Sequence, residues 1–157
     1  MKEEKTIEIL NKLVEINNDR IEGYQTASKE TEEQDLKRLF SRYIATSQKC
    51  KDELATEIRH LGGKPTEDTK NTGKFFRVWM DVKAAISNKD RHAILSSCET
   101  GEDAAVHTYT DTIKNDLSTL TPKLKSLINE QRISIKADHD SVKKLRDLAT
   151  VKEKVHN

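Results

Sequence analysis

Leu61-Gly62-Gly63-Lys64-Pro65 is the stretch on which the fold turns. Two adjacent glycines supply left-handed backbone and proline cannot continue a helix, so the apolar periodicity that precedes them must stop there. That periodicity runs through Leu36, Leu39, Phe40, Tyr43, Cys50, Leu54 and Ile58 and predicts a helix over about 33–61. Further upstream, Ile7, Leu10, Val14, Ile21 and Tyr24 fall on steps of three and four residues and predict a helix over about 2–30. Thr31-Glu32-Glu33-Gln34, between the two, has the form of a capping box. Downstream of Pro65 the chain is polar to Thr72. Phe75, Phe76, Trp79, Met80, Val82 and Ile86 then predict a short helix over about 73–87.

Asp90 is placed to cap a helix over about 90–117, with Ile94, Leu95, Cys98, Ala105, Tyr109 and Ile113 on one side. Thr121-Pro122 pairs a capping hydroxyl with proline at the first helical position. It opens a helix over about 122–150 carrying Leu124, Leu127, Ile128, Ile135, Val142, Leu145 and Ala149, and Val151 to Asn157 is expected to fray. The result is two helical hairpins with tight turns, joined by a connection of about 27 residues. A plain up-and-down bundle needs three short loops instead. The chain is therefore read as all-α, a single domain over 1–157. It is a four-helix bundle with one long crossover containing a short extra helix, which lays Phe75, Phe76 and Trp79 over one end of the core.

Composition agrees and narrows the partners. With 5 Gly and 2 Pro in 157 residues, and 4% aromatic, the chain lacks the turns and large side chains of a sandwich or barrel. The 28 Lys+Arg nearly cancel the 27 Asp+Glu, so there is no field to hold a phosphate backbone and no nucleic-acid partner is expected. Cys50 and Cys98 lack metal or dithiol spacing and read as reduced core residues of a cytoplasmic protein. No run approaches the length of a membrane span, and no phosphate loop or nucleophile elbow is present.

Ile16-Asn17-Asn18-Asp19-Arg20-Ile21-Glu22-Gly23-Tyr24, Leu61-Gly62-Gly63, Trp79-Met80-Asp81-Val82-Lys83 and Cys98-Glu99-Thr100-Gly101-Glu102-Asp103-Ala104-Ala105 resemble an uncharacterised bacterial family of ferritin-like four-helix-bundle proteins. The resemblance covers about Thr6 to Asp147. It implies a ferritin-like arrangement of the bundle and distant kinship with di-iron carboxylate proteins, and it supplies no activity.

A di-iron centre needs inward glutamates on all four long helices, two of them in Glu-x-x-His pairs, because hard cations take carboxylate oxygens with imidazole completing the shell. Glu57-Ile58-Arg59-His60 has that spacing, but it points away from the apolar face at the end of its helix. Glu15 and Glu22 also point outward. The inward polar residues are Asn17, Ser47, Glu102 and Asp138, level with one another at mid-bundle, with His139, Tyr24 and Gln131 nearby.

Two facing carboxyl groups in a low-dielectric core require compensation. A divalent metal, iron or manganese, held by Glu102, Asp138, His139 and Asn17 is one answer. A shared proton, hydrogen bonds from Asn17, Ser47 and Tyr24, a buried water, or Arg20 reaching in from its helix flank is the other. The second answer makes the chain a non-catalytic binding or interaction module with a degenerate metal site and no tightly bound ion. Neutralising Glu102 and Asp138 together should then leave stability similar or greater. The first makes it a metal-binding oxidoreductase or storage protein. A third reading is self-association through the exposed side of the Phe75 to Ile86 helix, and a homo-oligomer or a protein partner is the expected association.

Overall fold

Helix α1 (Lys2–Glu30) and helix α2 (Gln34–His60) form the first hairpin; α4 (Arg91–Asn115) and α5 (Pro122–His156) form the second. Helix α3 (Lys74–Ser87) lies in the connection between them. The computed structural model describes residues 2–68, 74–116 and 118–156, without the side chains of 74–76 and 151–156, and among these there are five helices and no strand. Gly73 and Leu117, expected at helix ends, lie outside the described residues, as do the side chains of Phe75 and Phe76.

Most terminators act as their chemistry requires. Gly62 takes φ +82°, and the Gly63 amide donates to the Ile58 carbonyl at 2.9 Å, closing α2 after His60. The Asp90 carboxylate accepts from the Ala93 amide, and the Thr121 hydroxyl accepts from the Leu124 amide ahead of Pro122. Two expectations change. The capping box at Thr31 does not form: Glu33 is the N-cap and makes no side-chain cap bond. The Thr31 hydroxyl accepts from the Glu33 amide at 3.2 Å while its own amide closes the last turn of α1 on Ala27, so the residue serves the turn and not the next helix. The second change is that α5 continues through His156, past the expected end at about 150, since the segment contains no glycine or proline to interrupt its hydrogen bonding.

The core falls into two apolar clusters, and their membership gives the helix directions. One contains Leu10, Leu13 and Val14 of α1, Leu54 and Ile58 of α2, Ala105 and Tyr109 of α4, and Leu124 and Ile128 of α5. The other contains Tyr24 and Ala27, Phe40 and Tyr43, Leu95 and Cys98, and Val142 and Ala149, together with Val82, Ala85 and Ile86 of α3. Thus α1 and α5 run from the first cluster to the second, and α2 and α4 run the other way. Consecutive long helices α2 and α4 are parallel, which is why the chain must travel back along the bundle between them.

That return is held by small and polar residues of the bundle. Asn11 and Asn18, seven residues apart on one side of α1, bind the backbone of residues 64–68: Asn11 contacts Lys64 and Thr66, and Asn18 contacts Thr66 and Asp68. As a result α1 is buried on nearly every side from Ile16 to Arg20. Helix α3 then settles where the side chains of α1 and α4 are shortest. A Cβ at Gly23 would overlap the Trp79 indole, and one at Gly101 would stand 3.0 Å from Val78 Cγ1. Trp79 meets the Tyr24 ring edge to face at 5.0 Å, and Tyr24 in turn stacks on Phe40 at 5.3 Å.

Candidate functional site

Between the two apolar clusters lies a layer of buried polar side chains: Asn17, Arg20, Ser47, Glu102, Gln131 and Asp138. All but Arg20 project from the inward stripe of a long helix, so the periodicity that buries the leucines buries these too, and Arg20 reaches in from the edge of its stripe. Arg20 organises the layer. Its Nη2 donates to Glu102 Oε1 at 2.7 Å and to Asp138 Oδ2 at 3.1 Å, and its Nη1 donates to Ser47 Oγ at 2.5 Å. The Tyr24 hydroxyl donates to the same oxygen of Glu102. One guanidinium thus joins all four long helices, and its side chain is only 3% exposed.

The electrostatics are those of one cation between two anions. Burial alone would pull the Arg20 pKa down, but the charge and hydrogen bond of Glu102, with Tyr24 and Asp138, together outweigh it and the guanidinium holds its proton more firmly than usual. Burial raises the pKa of both Glu102 and Asp138, and Arg20 opposes the rise without cancelling it. Glu102 Oε2 and Arg20 Nε are buried without a hydrogen-bond partner among the described residues. A divalent ion bridging the two carboxylates would sit against a fixed positive charge or would have to expel it. These residues therefore do not fit a metal in this arrangement.

The four residues named as ligands from the sequence fall into three groups. Glu102 and Asp138 meet through Arg20. Asn17 lies in an adjoining chain: it donates to the Leu13 carbonyl and to the Tyr109 hydroxyl, each at 2.9 Å, Tyr109 donates to Gln131 Oε1 at 2.7 Å, and Gln131 donates to the Cys50 carbonyl at 3.1 Å. His139 turns to the flank of the bundle, where its Nε2 is 2.7 Å from Asp103 Oδ1 and 3.6 Å from Glu99 Oε1. Arg146 pairs with the other oxygen of Glu99. Glu99 and Asp103 were not singled out by sequence reasoning. The available signal was an acidic pair at i, i+4 beside an inward Glu102, facing His139-Asp140 across a tight hairpin.

Other candidates settle as core or surface. Glu57 pairs with Lys123, and the His60 side chain is 66% exposed at the helix end. Both cysteines are free and buried, and burial pushes the Cys50 thiol up to about 11 and the Cys98 thiol higher still, so neither is a thiolate near neutral pH. No described helix is long and apolar enough to cross a membrane.

No curated protein matches the chain. Residues 5–115 match a family model described as a domain of unknown function, DUF2383. The match runs from the first turn of α1 to the end of α4 and includes Arg20 and Glu102, while Asp138 and His139 lie beyond it. With most of its length inside that match, the chain belongs to the DUF2383 family.

Proposed function

We propose that the chain is a bacterial, cytoplasmic, ferritin-like four-helix-bundle protein that acts as a non-catalytic binding or interaction module. In this reading its mid-bundle centre holds an internal arginine where ferritin-like relatives hold metal. One observation carries the reading: the Arg20 guanidinium lies between Glu102 and Asp138. The first hairpin supplies a cation at the place where the two carboxylates of the second hairpin converge. The parallel run of α2 and α4 around an intervening α3 supports the ferritin-like arrangement, since that topology requires the single long crossover. Near-zero net charge with interspersed signs supports a protein partner over nucleic acid.

The test is metal content after purification without chelator, on the wild type and on Glu102→Gln. The expected result is iron and manganese far below one ion per chain in both. Stoichiometric iron or manganese in the wild type that is lost in Glu102→Gln would make the chain a metal-dependent oxidoreductase or storage protein.

A further inference from the structure

Glu99 and Asp103 stand one turn apart on α4, and His139 faces them from α5. One ligand atom from each lies within 4.8 Å of the others. The histidine is the informative member. Its Nδ1 is 3.0 Å from Asp140 Oδ1, a contact that favours the tautomer with the proton on Nδ1 and leaves the Nε2 lone pair facing Glu99 and Asp103. Nε2 is buried and, despite its closeness to Asp103, makes no hydrogen bond. A carboxylate behind an imidazole whose other nitrogen points at two further carboxylates is the supporting arrangement that orients metal-binding histidines.

We propose that Glu99, Asp103 and His139 form a site for one divalent first-row transition ion, such as zinc, on the flank of the bundle and separate from the Arg20 layer. Two carboxylates and a neutral imidazole carry the charge and the mixed oxygen and nitrogen donors that such an ion takes. Ligands at about 2.0–2.2 Å from a tetrahedral zinc stand roughly 3.3–3.5 Å apart. The printed separations from Nε2, 2.7 Å to Asp103 and 3.6 Å to Glu99, bracket that spacing. The adjustment falls on Asp103, whose side chain is 65% exposed and free to move. Arg146 holds Glu99 through its far oxygen and leaves Oε1 directed at the histidine. Three protein ligands leave the remaining coordination for water.

Zinc chloride titrated into the intact protein, followed by calorimetry and by imidazole nitrogen resonances, tests the site. The expected result is one zinc per chain at micromolar affinity, with the His139 Nε2 resonance shifting first among the five histidines. His139→Gln and Asp103→Asn should each weaken binding at least tenfold, with unchanged circular dichroism. Asp140→Asn, which alters the support of the ring and an exposed pair with Lys136 but none of the three ligands, should weaken it by about tenfold. Absence of binding, or binding indifferent to His139→Gln, overturns the proposal and leaves His139 a flank residue beside Asp103. Zinc retained in His139→Gln but lost in Glu102→Gln overturns both this proposal and the arginine-held centre; loss of binding in His139→Gln alone leaves that centre standing.

Discussion

Two groups of acidic side chains lie within one turn of each other along α4 and α5, and they are compensated in different ways. The inner pair, Glu102 and Asp138, is buried and shares the Arg20 guanidinium, which also binds Ser47 of α2, while Tyr24 of α1 donates to Glu102. The outer group, Glu99 and Asp103, opens to solvent on one side, and its ion pairs among the described residues are with His139 and Arg146 of α5. The inner group must balance charge inside the protein, because desolvation of an uncompensated ion costs several kcal/mol. The outer group can leave the balance to water, salt or a bound ion. Position within the helix cross-section, more than residue type, decides whether a carboxylate serves architecture or remains available for a ligand.

Replacing the two arginines separates the groups most strongly. Arg20→Met leaves two buried carboxylates facing each other and should cost about 3–5 kcal/mol in urea unfolding. Arg146→Met removes a pair whose arginine is 25% exposed and should cost under about 1 kcal/mol. Similar losses in the two variants would erase the distinction. Next in size is the double replacement Glu102→Gln with Asp138→Asn. Read from the sequence, with Arg20 only one of several compensators, it leaves stability similar or greater, but with Arg20 seated between the carboxylates it strands a buried guanidinium. A loss of about 3 kcal/mol is now expected, against less than about 1 kcal/mol for Glu99→Gln with Asp103→Asn. Smaller again is Gly23→Ala, which pushes Trp79 off α1 beside the inner layer and should cost about 1–3 kcal/mol. Trp79 is the only tryptophan, so a red-shifted emission maximum in the folded variant reports that displacement directly.

The helix pattern was legible because apolar spacing, Gly62-Gly63, Asp90 and Thr121-Pro122 act locally, and each does in the structure what its chemistry dictates. The inward turn of Glu102 and Asp138 was legible for the same reason: it is a matter of angle around one helix. Arg20 was legible only as one of several compensators, since its angle places it at the edge of the apolar stripe and a long side chain can turn either way. What it reaches depends on where α4 and α5 lie, which no local pattern specifies. Asn17 shows the complementary failure. Its angle and depth placed it in the layer, but its amide bonds the Tyr109 hydroxyl, a partner 92 residues away. Glu99 and Asp103 escaped attention because their side chains sit beside the apolar stripe, where acids are usually only solvated.

The response to pH should be the smallest of these differences and the one that distinguishes the groups by sign. Burial raises the folded-state pKa of Glu102 and Asp138, so between their unfolded and folded values the native chain holds more protons than the unfolded one. Their contribution is fully present below the ordinary carboxylate range and is lost as pH rises through the folded values. Asp140, in the outer group, has the reverse behaviour. Its bonds to His139 and Lys136 lower its pKa, so its contribution is present above the ordinary value and lost as pH falls. Glu102→Gln removes a titrating proton and leaves Arg20 paired one to one with Asp138. Wild type minus Glu102→Gln stability should therefore decline as pH is raised from about 4 toward neutrality. Wild type minus Asp140→Asn should instead rise with pH below about 4, weakly, because the group is largely exposed and screened by salt. Urea midpoints across the series measure both slopes, and slopes of the same sign would show that the inner carboxylates are ionised at no cost and that Arg20 more than offsets their burial.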